Sequence, residues 1–143
     1  MTAIDETDQR ILTMLEADGR ATLAQLAQAT GLSVSAAQSR VQKLEKRGII
    51  KGYKAIIDQE RGLPISAFVN VTPLDYSAES SIPDKLNNID GIVSCYSVAG
   101  APSFVLVVRV ASPTALEELL NLIHRTVPVS TETTMILQTY FPH

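Results

Sequence analysis

Between Ser33 and Lys46 the chain gathers three hydroxyls (Ser33, Ser35, Ser39), two carboxamides (Gln38, Gln42) and three cations (Arg40, Lys43, Lys46). Hydroxyls and carboxamides both donate and accept hydrogen bonds, as reading the edges of base pairs requires, and lysine and arginine neutralise phosphates. The small polar residues come first and the cations later, so on a helix the N-terminal end would face bases and the flanks would face phosphate. This points to double-stranded DNA as a partner. The competing reading is an ordinary solvated helix face, but such a face normally carries Glu residues paired with Lys four positions on, and here hydroxyls take their place. Arg20 stands earlier in the chain, either to reach a further phosphate or as a plain surface cation.

No other cluster of reactive side chains competes with this one. His124 and His143 lack a paired acid or cysteine, no glycine-rich phosphate loop occurs, and no metal-ligand spacing is present. An enzyme is therefore not expected, nor a cofactor. His124 falls near a helix C-terminus, where it suits the helix dipole. The single Cys95 lies in an apolar run and reads as a buried small hydrophobe. The first six residues lack a signal-peptide pattern, and no apolar run approaches the roughly 18 residues of a membrane span, so a cytoplasmic protein is expected.

Net charge over 143 residues is −3, which taken alone argues against nucleic acid. The charge is unevenly distributed. Residues 33–54 carry +5, whereas residues 62–143 carry −4. With 45% hydrophobic and 19% charged residues, the whole chain reads as globular.

Three helices are expected to position the polar cluster. Asp5 and Asp8 can cap a first helix that buries Ile11, Leu12 and Leu15 and ends at Asp18-Gly19. Thr22 and Gln25 form a capping box for a short second helix with Leu23, Leu26 and Ala27 inward, stopped by Gly31. Ser33 then caps a third helix running to about Arg47, with Val34, Ala37, Val41 and Leu44 on the inward stripe. Two helices joined by a short glycine-containing turn have helix-turn-helix spacing. Residues 48–58 read as a strand leaving this domain, followed by a polar linker. The expected division is 1–50 for DNA binding, 51–62 for hinge strand and linker, and 63–143 for a second domain.

That second domain alternates strand and helix signals: a strand at 65–72, a capped helix from Ser81 past Ile89, strands at 92–99 and 104–110, a helix opened by Ser112-Pro113, and a strand at 129–141. The order β-α-β-β-α-β is that of a ferredoxin-like fold. Strand 104–110 is apolar on both sides, with Phe104, Leu106, Val108 and Val110 on one and Val105 and Val107 on the other. Both helices cover one face of such a sheet, so the second apolar face calls for a second copy of the chain.

In this arrangement the chain resembles the Lrp/AsnC, or feast/famine, regulators over nearly its whole length. The resemblance is carried by Asp8-Gln9-Arg10-Ile11-Leu12, Gly31-Leu32-Ser33-Val34-Ser35, Leu44-Glu45-Lys46-Arg47-Gly48-Ile49-Ile50-Lys51-Gly52-Tyr53 and Tyr96-Ser97-Val98-Ala99-Gly100. It implies an α+β chain: a winged-type helix-turn-helix domain, then a ferredoxin-like domain of RAM/ACT type. It further implies a sequence-specific transcriptional regulator that dimerises through its sheets, often assembles into octamers, and responds to an amino acid or related metabolite. Effector contacts would come from Val98, Gly100, Ala101, Pro102 and Ser103, together with Thr133 and Thr134 of a neighbouring dimer. Many members carry an acidic residue where Ser103 stands, and Pro102 removes a backbone donor, a departure that favours a weakly bound, apolar or absent effector. An architectural DNA-compacting protein without an effector is the alternative. An ordinary Gly-Pro hairpin turn is the plain alternative for the loop.

Overall fold

The computed structural model describes residues 3–58 and 62–141, which divide into two units, Met1–Ile56 and Ile57–His143. In the first unit every helix start is set by a local side-chain cap. The Asp5 carboxylate accepts from the Asp8 N–H at 2.7 Å and opens α1 (Glu6–Ala17). Thr22 and Gln25 exchange bonds of 3.1 and 2.8 Å and open α2 (Leu23–Thr30). Ser33 accepts from the Ala36 N–H at 3.1 Å and opens α3 (Val34–Lys46). Between α2 and α3, Gly31 adopts φ +71°, a left-handed conformation that costs side-chain-bearing residues about 1–2 kcal/mol. The three helices close over Ile11, Leu26, Ala27, Ala37, Val41 and Leu44.

Two expectations for this unit are corrected. Val34 has the spacing of the inward stripe of α3, yet it is 49% exposed. Side chains on a helix lean toward its N-terminus, so the first residue of α3 overhangs the turn before it rather than the core. Residues 48–58 form no strand. A strand needs a ladder partner, and no described segment of this chain pairs with that stretch.

In the second unit β1 (Ile65–Pro73) is followed by a 3₁₀ turn at Tyr76–Ser81 and the short helix α4 (Ile82–Leu86). Next come β2 (Ile92–Ser97), β3 (Phe104–Val110), α5 (Pro113–Thr126) and β4 (Val129–Met135). The four-stranded antiparallel sheet has the order β2-β3-β1-β4, which is the ferredoxin-like topology. Ala67, Val69, Val71, Leu106 and Val108 on one sheet face pack with Ile82 and Leu86 of α4 and with Leu116, Leu119 and Ile123 of α5. The opposite face carries half-buried Val105 and Val107 beside exposed Phe68 and Tyr96.

Several element bounds differ from those the sequence implies. Ser81 donates its hydroxyl to the Ala78 carbonyl at 2.8 Å and caps nothing, and α4 ends after five residues, at Leu86 and short of Ile89. β2 stops at Ser97, one residue before a last bond to the β3 side, from the Val98 N–H to the Ser103 carbonyl at 3.2 Å. β4 stops at Met135, one residue before its last bond to β1, from the Ile136 N–H to the Ser66 carbonyl at 2.9 Å. Cys95 is exposed on the edge strand β2 and not a core residue, although partial burial still pushes its thiol pKa up. His124 bonds Thr131 through Nε2 at 2.8 Å, tying the last turn of α5 to β4.

Gly91 is the one glycine packed against the core as well as left-handed. At φ +96°, a Cβ there would lie 3.2 Å from Leu119 Cδ2 and 3.4 Å from Val110 Cγ1. Its carbonyl also accepts the Arg109 N–H at 2.8 Å. Gly91→Ala is expected to destabilise the second unit by at least about 1–2 kcal/mol, read from urea denaturation, whereas Gly62→Ala, which meets nothing, stays within about 0.5 kcal/mol of the parent. Equal midpoints for the two variants would contradict this packing.

Candidate nucleic-acid interface and ligand cavity

Ala37, Val41 and Leu44 are spent in the core, which fixes the orientation of α3. Ser35, Gln38, Ser39, Gln42, Lys43 and Lys46 are all exposed as a result. Ser33 is already engaged: besides capping the helix, its hydroxyl lies 3.3 Å from that of Ser35. Gln38, Ser39, Gln42, Lys43 and Lys46 have no side-chain partner among the described residues, so their full hydrogen-bonding capacity faces outward.

Arg40 is situated differently. Its guanidinium holds the carboxylates of Asp5 and, at 3.3 Å, Asp8, so it ties α3 to the first turn of α1. The hydrogen bond to Asp5, and then that to Asp8, pushes the Arg40 pKa up. Asp5 is held below the usual carboxylate range, first by the Asp8 N–H and then by Arg40. Arg20 lies exposed in the turn before α2, its backbone N–H on the Asp18 carboxylate at 2.9 Å.

A second candidate site lies in the other unit. A hollow of about 250 Å³ is lined by Asn70, Thr72, Ala101, Pro102, Ser130, Thr131 and Glu132. Of the residues implicated by the sequence, it brings together Ala101 and Pro102 but excludes Val98, Gly100, Ser103, Thr133 and Thr134. The strand register explains the split at β4. Asn70 pairs with Glu132 and Thr72 with Ser130, so these four side chains share the sheet face away from the helices. Thr133 pairs with buried Val69 and faces the helices, while Thr134 pairs with Phe68 two rungs from the loop.

The loop's backbone donors are also accounted for. Val98 donates to Ser103 and Ser103 donates to Val71 at 3.0 Å, and Pro102 has no N–H. Ala99, Gly100 and Ala101 keep their N–H groups unbonded within the described residues. Glu132 brings a carboxylate to the wall of this hollow. Sequence reasoning overlooked it because only the β1–β4 register places it beside the loop.

Among the described residues, no group of three or more histidine, cysteine, aspartate or glutamate side chains could hold a metal ion. No helix among them is long and apolar enough to cross a membrane.

Comparison with known proteins accords with this two-part organisation. Residues 4–51 match the model of a winged helix-turn-helix DNA-binding domain, and residues 66–143 match that of the Lrp/AsnC ligand binding domain. The HTH-type transcriptional regulator LrpA of Mycobacterium tuberculosis is 52% identical over 140 residues, covering 97% of this chain and 93% of the relative. LrpC of Bacillus subtilis is 35% identical over 121 residues, 82% of either chain. A solved M. tuberculosis feast or famine regulatory protein, described as complexed with L-methionine, superposes with TM-score 0.93 at 52% identity, covering 98% of this chain and 96% of that one. With two domain models matched in order and over half the residues shared with LrpA, this chain belongs to the Lrp/AsnC family of helix-turn-helix transcriptional regulators, which are not enzymes.

Proposed function

We propose that α3 is the recognition helix of this regulator, with Ser35, Gln38, Ser39 and Gln42 at base edges and Lys43 and Lys46 on phosphates. The carrying observation is the unspent polar face of α3, set opposite a seam of three buried side chains. Arg20 adds a phosphate contact from the turn before α2. Ser33 contributes as the cap that frees the first turn, and Arg40 as the clamp that holds α3 on α1. Replacing Lys43 and Lys46 together by Ala is expected to weaken binding to every DNA sequence. In a plot of log K against log salt it should lower the slope by about 2 per recognition helix engaged. A slope unchanged from the parent would remove both lysines from the phosphate contacts.

We further propose that the hollow beside the 98–103 loop binds a free amino acid. The unbonded Ala101 N–H, on the wall of the hollow, suits a carboxylate, the Glu132 carboxylate suits an ammonium group, and the solved relative is described with L-methionine. A saturating apolar amino acid, at about 100 times its dissociation constant, adds about 2.7 kcal/mol to stability. In a melt against a panel that includes L-methionine, at least one amino acid should raise the midpoint of the parent. Glu132→Gln should reduce that affinity at least about tenfold, the loss of a charge-assisted bond. A panel without any shift argues for a regulator or compactor without an effector.

The third proposal is a two-fold dimer, with higher assemblies built from it in the cytoplasm. Phe68, Tyr96, Val105 and Val107 leave the open sheet face apolar at its centre, where a second copy of that face is the simplest cover. Val107→Glu would place a charge in the middle of that contact. It is expected to shift the protein to monomer in sedimentation, with its far-ultraviolet spectrum retained. A dimer that persists at equal concentration would move the interface elsewhere.

A further inference from the structure

Val34 is the conspicuous residue that none of this uses. It is an apolar, β-branched side chain, 49% exposed, at the first position of α3. Valine is a mediocre helix former, and an acidic residue at that position would suit the helix dipole, so helix stability alone does not favour it. Nor does packing, since the buried seam of α3 begins three residues later at Ala37. Its polar neighbours are partly occupied: Ser33 caps the helix, and the Ser33 and Ser35 hydroxyls lie 3.3 Å apart. At the tip of α3, Val34 therefore keeps about half of its apolar surface uncovered by the described residues.

We propose that Val34 is a specificity-determining residue that reads a thymine through its C5-methyl group. This rests on α3 being the recognition helix. The N-terminal residues of such a helix reach base edges, and the thymine methyl is the only apolar group that base pairs present in the major groove. The stiffness of a β-branched side chain at χ1 holds the valine methyls in a fixed direction, which favours a contact with one base position over general stickiness. The serines, able to donate or accept, tolerate several bases, whereas Val34 demands a methyl. Each half-site then contains one A·T pair, in a fixed orientation, whose methyl matters.

The test uses the full chain and duplexes selected from a randomised pool by the parent protein. Each thymine of the selected site is replaced singly by uracil, which removes the methyl and leaves base pairing intact. The parent should lose about fourfold in affinity at one position per half-site, the size expected for withdrawing one methyl from an apolar contact. Val34→Ala should bind the thymine and uracil duplexes at that position equally while keeping its other base preferences. Val34→Thr, which retains one methyl in nearly the same shape, should keep part of the difference. Circular dichroism of each variant checks that α3 forms, as an exposed position should allow. Uracil tolerated at every position by the parent, or a thymine-to-uracil ratio in Val34→Ala equal to the parent's, overturns the proposal for Val34. If the parent selects no consensus and the Lys43 and Lys46 variant binds normally, the recognition-helix reading itself has failed.

Discussion

The helix-turn-helix unit has one small core, and half of it is supplied by a single helix. Ala37, Val41 and Leu44 of α3 meet Ile11 of α1 and Leu26 and Ala27 of α2. Because these positions are three and four residues apart, they consume one stripe of α3 and leave the remainder to solvent. Two alanines in so small a core let helix backbones approach closely, so a larger residue at either would push α3 outward. Capping, the Gly31 turn and the Arg40 clamp all serve the same placement. None of them would present Gln38 or Lys43 usefully if that seam were to rotate.

Local features were legible in the sequence because their causes lie within four residues. Asp5, Thr22 with Gln25, Ser33 and Ser112 each cap the helix assigned to them, and the β-α-β-β-α-β order follows from periodicity and turn residues. What failed depended on partners. Val34 has stripe spacing but no neighbour at the helix tip, and Cys95 has an apolar context but sits on an edge strand. Residues 136–141 continue the apolar pattern of β4, yet Leu137, just past the last bond to β1, is 95% exposed. Apolar periodicity states what a segment could bury, and only pairing decides whether it does.

The hollow beside the 98–103 loop shows the same division at the level of a candidate site. Its loop was identifiable as a glycine- and proline-containing connection between two strands. Its other wall comes from β1 and β4, whose residues are about sixty positions apart and meet through a register of seven rungs. A shift of one residue would turn Glu132 toward the helices and replace it with Thr131 or Thr133. The Glu132 carboxylate thus reaches the hollow from a strand, at a place no local motif marks. Hydrogen bonding within the loop narrows the chemistry further, since the bonds from Val98 and Ser103 leave free donors only at its tip.

Charge distribution reconciles an acidic chain with a nucleic-acid partner. Averaged over the sequence the net charge is −3, but residues 33–54 carry +5 and residues 62–143 carry −4. At physiological ionic strength the Debye length is about 8 Å, so a phosphate responds chiefly to the charges within a turn or two of it. Under the proposed placement of α3, Lys43 and Lys46 would act on a neighbouring phosphate almost undiminished, while any acidic group more than a Debye length away is screened. The negative remainder still acts before contact, when it opposes indiscriminate adhesion to DNA through any other surface. Attraction is thereby biased toward the basic stretch 33–54, which carries the exposed polar face of α3, and overall acidity becomes a source of orientation as well as solubility.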